Sequence, residues 1–247
     1  MNSSNHTATP DFDLPTRATL EQWSPEHFHK AQSMVQCDVL ALEKDGHRLI
    51  LKDASRRWWI YRVLFTRRIL RREHRFLRLL DGLEGVPRAY GWIDADGFVM
   101  ERLDARDMPG HRYTKQFPGE FFEQLAILVD AMHQRGVVHG DIRRKNIMMD
   151  EDGKPYLIDF ATAWHRDTLL GAFMYKRLTA IDRLKVTRLK ARHRPDLLTD
   201  EEQRQVENLP FLLRAAHWFK KSIYRHIKQR RWEERLGIRK RKSNRRQ

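Results

Sequence analysis

The stretch His139-Gly140-Asp141-Ile142-Arg143-Arg144-Lys145-Asn146, followed after twelve residues by Asp159 in Ile158-Asp159-Phe160, constrains the fold of this chain more than any other feature. Residues 146–149 and 155–159 are short apolar runs on either side of Asp150-Glu151-Asp152-Gly153, which predicts a hairpin. A hairpin brings the two ends of the stretch together. The spacing Asp-x4-Asn-x12-Asp then gathers three oxygen-bearing side chains in one pocket. Asp141 on its turn can accept or orient the proton of a hydroxyl, and Asn146 and Asp159 are oxygen ligands of the kind magnesium takes. That combination is the requirement for phosphoryl transfer from a nucleotide.

The rest of the chain bounds this reading. Its 247 residues fit one large domain or two lobes. No run of 18 apolar residues offers a membrane span, and the polar start MNSSNHTATPDFDLP has neither the basic nor the apolar region of a secretory signal. Cys37 is the single cysteine, so no internal disulfide or cysteine-based zinc cluster is available, and a reducing cytosol fits best. The net charge of +15 is uneven. Residues 214–247 carry +12, and residues 56–78 carry +8, with nine arginines against Glu73. Such patches suit nucleic acid, anionic lipid or a phosphorylated glycan equally well.

Coarse patterning predicts a loose arm over residues 1–20 and a hairpin of 39–43 with 47–53 around Lys44-Asp45-Gly46, whose second strand ends near Lys52. Helical spacing of Ile69, Leu70, Phe76, Leu77 and Leu80 predicts a helix over 67–80 that carries Glu73. Residues 90–93 and 98–101 form a second hairpin. Residues 119–135 form a helix with an apolar stripe from Phe121 to Met132 that reads as core, and from about Tyr175 the pattern is helical.

On the His-Gly-Asp, Asn146 and Asp159 residues, the sequence over about 36–190 resembles the protein-kinase-like fold, in its compact bacterial and RIO-type branches, and most of all the lipopolysaccharide core (Kdo or heptose) kinases. The resemblance implies an α+β, two-lobed architecture with a small antiparallel-sheet N-lobe and a mainly helical C-lobe, and the helical spacing of apolar residues over 210–236 adds a C-terminal basic helix. It implies ATP and Mg as cofactors. Lys52 looks like the strand lysine that holds nucleotide phosphates, Glu73 like its helix partner, and Phe98 to Leu103, including Glu101 and Leu103, like the strand and hinge that meet adenine. Asp141 looks like the catalytic aspartate, and Asn146 and Asp159 like the metal ligands. Asp182 is either the acid that braces the catalytic loop or a solvated helix residue. His139 reads as structural support for the loop, and His111, His133 and His193 carry no pairing signal.

Plainer readings exist: a solvated Lys52, Glu73 paired with nearby arginines, and Asn146 and Asp159 as turn residues. All of them together would need several coincidences. Two departures stand out, namely the absence of glycine in 34–42, where a phosphate-binding loop would lie, and the shortness of the segment 162–176, which leaves little platform for a peptide. The domain reading is 1–35 arm and lead-in, 36–103 N-lobe, 104–209 C-lobe, 210–236 basic amphipathic helix and 237–247 disordered basic tail. Trp58 and Trp59 would stack on a sugar or base, or cover the small lobe. The functional expectation is a kinase acting on a hydroxyl of a lipid-linked sugar at the cytoplasmic membrane face. Its partners would be a lipid-linked or phosphorylated glycan and, through the basic helix, an anionic membrane surface, in preference to nucleic acid. The rival expectations are a RIO-like serine/threonine protein kinase associated with RNA and a catalytically inactive scaffold. Composition leaves the oligomeric state open.

Overall fold

Alternating residues on β-strands face opposite sides of a sheet, and in this protein both sides are covered. The computed structural model describes residues 12–29, 36–108 and 117–207. Five antiparallel strands, β1 (Glu26–His29), β2 (Asp38–Lys44), β3 (His47–Asp53), β4 (Ala89–Asp94) and β5 (Gly97–Glu101), form a sheet of order β1-β2-β3-β5-β4. The β2–β3 turn has positive φ at Asp45 and Gly46, the backbone of a two-residue hairpin turn in its favoured mirror-image form.

Leu40, Leu42, Leu49, Leu51 and Val99 cluster with Trp23 on the outer face of the sheet. Their cover comes from the N-terminal segment, with Phe12, Leu14 and Leu20 packed against them. Arg17 ties that segment down by donating to both carboxylate oxygens of Asp53, at 2.8 and 3.1 Å, and to Asp94 at 2.8 Å. The expectation of a loose arm over 1–20 and a lead-in over 1–35 is therefore corrected for the described part. Residues 12–29 belong to the N-lobe, because an apolar outer sheet face needs a lid and Glu26–His29 pairs with β2.

The inner face carries Ile50 and Lys52, opposite Met100 and Phe98 of β5. Against it lies a helical run made of α1 (Trp59–Tyr61), a wide π-helical turn (Arg62–Thr66) and α2 (Arg67–Leu79). Leu70, Glu73, Phe76 and Leu77 form the buried stripe of α2.

In the second lobe, α3 (Phe121–Gln134) buries Phe121, Phe122, Leu125, Leu128, Val129 and Met132. Short strands β6 (Arg106–Asp107), β8 (Ile147–Met149) and β9 (Pro155–Leu157) form one small sheet. β7 (Val137–Val138) and β10 (Trp164–His165) form another. Helix α4 runs Leu169–His193, starting earlier than the sequence pattern suggests. The compact unit that holds both lobes ends at Leu198, so the boundary expected at 209 moves inward. The following unit begins with α5 (Asp200–Glu207). Its start is a reciprocal cap: the Thr199 N–H donates to Glu202 Oε2 at 2.9 Å and the Glu202 N–H to Thr199 Oγ1 at 3.2 Å. The helix expected over 210–236, the tail 237–247 and His111 lie outside the described residues.

Candidate active site

Strand register puts Lys52 on the inner face of the sheet, and helical phase puts Glu73 on the face of α2 that meets it. Lys52 Nζ donates to Glu73 Oε1 at 2.5 Å, with the two side chains only 13% and 3% exposed. Burial alone would push the Lys52 ammonium down, but Glu73, then Cys37 and Asp159, reverse this and hold it above its ordinary value. Burial pushes the Glu73 carboxyl up against the pull of Lys52, and the Phe160 N–H donates to it. The plainer reading of Glu73, pairing with arginines on an exposed face, does not hold. Arg72 beside it donates from Nε and Nη2 to the Ala163 carbonyl at 3.0 and 2.7 Å, and stacks over Trp164 at 4.9 Å. Helix α2 is thereby stitched to the segment that follows Asp159.

Asp159 has a left-handed backbone, φ 69° and ψ 74°, which costs a non-glycine residue roughly 1–2 kcal/mol. The turn sends Phe160 back, with its N–H on Glu73 and its ring 4.8 Å from that of His139. The Asp159 charge is felt by Lys52, Glu73, Cys37 and His139, which locates it where the lobes meet. Cys37 lies in the same field. Burial pushes its thiol up to about 11, only partly opposed by Lys52, so at neutral pH it is protonated.

The loop carrying Asp141 is held from below by Asp182, which is fully buried on α4. Asp182 Oδ2 accepts the His139 N–H at 2.8 Å, and Oδ1 accepts the Gly140 N–H at 3.2 Å. Lys185, one helical turn on, donates to the Gly140 carbonyl at 2.7 Å, and Thr162 donates to the His139 carbonyl at 3.2 Å. The choice left open for Asp182 thus resolves to the loop brace. His133 also pairs with it, its Nε2 lying 3.4 Å from Oδ2, a contact the sequence gave no sign of. Gly140 has φ +79°, and a Cβ there would come within 2.9 Å of the Thr162 carbonyl oxygen, so only glycine fits between His139 and Asp141.

His139 is wholly buried, and its hydrogen bonds fix its tautomer. The Asp141 N–H donates to Nδ1 at 3.3 Å, leaving the proton on Nε2, which donates to the Ile158 carbonyl at 3.2 Å. Burial depresses its pKa despite the nearby Asp182. It is a neutral strut, as the sequence suggested.

Asn146 spends its amide hydrogens on Asp141, on the main-chain carbonyl at 2.9 Å and on Oδ2 at 3.3 Å. Its own carbonyl accepts the Ile158 N–H at 3.0 Å, so the hairpin delivers Asp159 one residue later. With the amide nitrogen committed, the side-chain oxygen of Asn146 is the atom left for a cation. Asn146 and Asp159 are hard oxygen donors, a set that fits magnesium. Among the described residues no group of three or more His, Cys, Asp or Glu could hold a metal, and magnesium commonly relies on one or two protein oxygens plus water and phosphate. Arg143, absent from the sequence-based set, sits with Nε 2.9 Å from Asp141 Oδ2. A cation two residues after Asp141 was the available signal.

At the other edge, Glu101 is committed to Arg88. Its N–H donates to the Arg88 carbonyl at 2.8 Å, and its carboxylate accepts the Arg88 N–H at 3.0 Å. Its side chain braces the strand end, and Leu103 follows on the connector between β5 and β6.

Residues 52–177 match the RIO domain, 126 of the 247 in the chain, a span that begins at Lys52 and encloses Glu73, Asp141, Asn146 and Asp159. The chain belongs to the RIO domain family. This RIO domain is also similar to curated kinases: 33% identical over 101 residues to the serine/threonine-protein kinase PEPKR2 of Arabidopsis thaliana, covering 36% of this chain and 22% of that protein. It is 27% identical over 147 residues to the EKC/KEOPS complex subunit BUD32 of Encephalitozoon cuniculi, covering 56% and 66%. To Aurora kinase B of Drosophila melanogaster it is 24% identical over 172 residues, covering 62% and 52%. The chain thus spans about a fifth to two thirds of the length of these relatives. The kinase-like fold implied by the RIO domain agrees with the sheet-bearing and helical lobes described above.

Proposed function

We propose that this RIO domain is an ATP- and magnesium-dependent kinase that transfers a phosphoryl group to a serine or threonine hydroxyl of a protein. The observation that carries the reading is the meeting of the Lys52–Glu73 pair with Asp159, across from Asp141 and Asn146 on a loop braced by Asp182. Lys52, held by Glu73, presents its ammonium to phosphate oxygens. Asn146 and Asp159 would hold the magnesium, which would neutralise phosphate charge. Asp141 takes the hydroxyl proton as the new O–P bond forms and the bond to the nucleotide diphosphate breaks. Arg143 beside Asp141 orients that carboxylate. Most of the rate enhancement then comes from placement and fixed charge.

A lipid-linked sugar of the lipopolysaccharide core kind is the second reading, and one observation favours it. Only residues 163–168 separate the turn after Asp159 from α4, which leaves little chain on which to lay an extended peptide. The deciding experiment incubates the full chain with magnesium and γ-labelled ATP, against separate protein and lipid fractions of its host, with Asp141→Ala as control. Label in phosphoserine or phosphothreonine supports the first reading, and label in a glycolipid supports the second. No transfer and no magnesium-dependent ATP binding by calorimetry would leave a kinase-fold scaffold.

A further inference from the structure

The basic cluster at 56–78 divides into two populations once folded. Arg57 binds Asp38, Arg62 and Arg67 bind Asp96, Arg72 binds the Ala163 carbonyl, and Arg78 reaches the Ala89 carbonyl and Asp81. These five are internal clamps. Arg56, Arg68, Arg71 and Arg75 face solvent instead, the last three on one stripe of α2. Residues 54–80 contain a single acid, Glu73, and it is buried against Lys52. Asp94, which shares a groove with Arg71, is held by Arg17.

The apolar side chains just before this stripe are also exposed. Trp58 and Trp59 are each 61% exposed, so they do not cover the small lobe, and Val63, Leu64 and Phe65 are 43%, 44% and 49% exposed. Three consecutive helical residues sweep roughly 200° of the circumference, so the π-helical turn that carries them overhangs the core. Exposed apolar side chains at 58, 59 and 63–65, followed by exposed arginines at 68, 71 and 75, call for a partner.

Charge narrows what that partner is. A second copy docked face to face would set arginine stripe against arginine stripe. Residues 208–247 carry +12 and would meet the same repulsion. An anionic surface with an apolar interior satisfies both halves. Val63 and Leu64 have no ring to stack on a base, whereas hydrocarbon accepts them, and paired tryptophans favour the lipid–water boundary. We propose that the overhanging turn Trp58–Phe65, with Arg68, Arg71 and Arg75, docks the N-lobe on an anionic phospholipid surface, the apolar side chains entering the headgroup layer and the arginines meeting phosphates. The binding is independent of which acceptor the kinase uses.

The test is sedimentation of the full chain with vesicles of phosphatidylcholine alone or mixed with phosphatidylglycerol, alongside binding to single-stranded and duplex RNA. Two variants alter exposed side chains only: Trp58→Ala with Trp59→Ala and Phe65→Ala, and Arg68→Glu with Arg71→Glu and Arg75→Glu. Each should weaken binding to the anionic vesicles about tenfold or more, while circular dichroism and RNA binding stay as in the unaltered chain. Wild-type vesicle affinity in both variants would assign lipid binding elsewhere and overturn the proposal. So would a loss confined to RNA, which would make the patch a nucleic-acid surface.

Discussion

The two halves of the candidate site are held in different ways. Beneath Asp141 the loop is fixed by backbone hydrogen bonds: Asp182, Lys185, Thr162 and His139 between them engage both main-chain groups of His139 and Gly140 and the N–H of Asp141. Above it, Lys52 is fixed by one ion pair to a helix that is itself anchored by Arg72 and by the Phe160 N–H. The lower side stores its geometry in several hydrogen bonds to the main chain of the loop. The upper side depends on two separate elements staying together, as suits a part that must admit and release a nucleotide.

The largest effect is expected at Asp141, the group on the lower side to which the proposed reaction gives the hydroxyl proton. Asp141→Ala should lower phosphoryl transfer about 10²- to 10⁴-fold and leave magnesium-dependent ATP binding intact, measured by label incorporation and calorimetry. Transfer at the wild-type rate would remove its assigned role.

Next in size is Lys52→Met, which strands a buried carboxyl. Urea unfolding near neutral pH should show a loss of roughly 3–5 kcal/mol. The Glu73 carboxyl has a folded pKa above its unfolded one, so its contribution is full below the ordinary carboxylate range and lost as pH rises through the raised value. The deficit of the variant should therefore shrink on acidification. A deficit that does not vary with pH would mean that Glu73 is not the group left uncompensated.

Asp182→Asn tests the lower side itself. Exchanging a buried charged acceptor for a neutral one should cost about 1.5–3 kcal/mol and lower kcat with little change in KM for ATP, the signature of a positioning residue. Equal effects on both parameters would tie the brace to the nucleotide side.

The smallest effect concerns acid. His139 has a folded pKa below its unfolded one, so the stability it contributes is present above about pH 6.5 and declines as pH falls toward the depressed value. His74, depressed by burial and by Arg78, acts with the same sign. His139→Asn should remove only part of the acid-side decline in Tm, and an unchanged profile would refute the strut.

The Asp141, Asn146 and Asp159 set was legible because hairpin and turn chemistry are local: Asp150 to Gly153 can hardly do anything but reverse the chain. Periodicity put Glu73 on a helix and Lys52 on a strand, but their pairing was expected only from the resemblance to the kinase-like fold. Asp182 was visible only as one of two readings, since it acts on residues more than forty positions away. Arg143, Lys185 and His133 were passed over for a similar reason, as a cation or imidazole on a helix or loop has many solvated uses. Residues 12–29 were misread because their apolar residues are sparse and follow no period. They serve as a lid, and a lid needs only a few anchors such as Trp23 and Arg17.

The sequence by itself determined the three hairpins over 39–53, 90–101 and 146–159, the helices that bear Glu73 and the Phe121 stripe, and the three oxygen donors, because each follows from periodicity or turn preference within about twenty residues. Tertiary structure alone decided which arginines are clamps and which are free to meet a partner, that Asp182 carries the loop, and that the N-terminal segment closes the sheet. Those outcomes depend on which charges and faces meet across the fold, and distance along a chain does not encode that meeting.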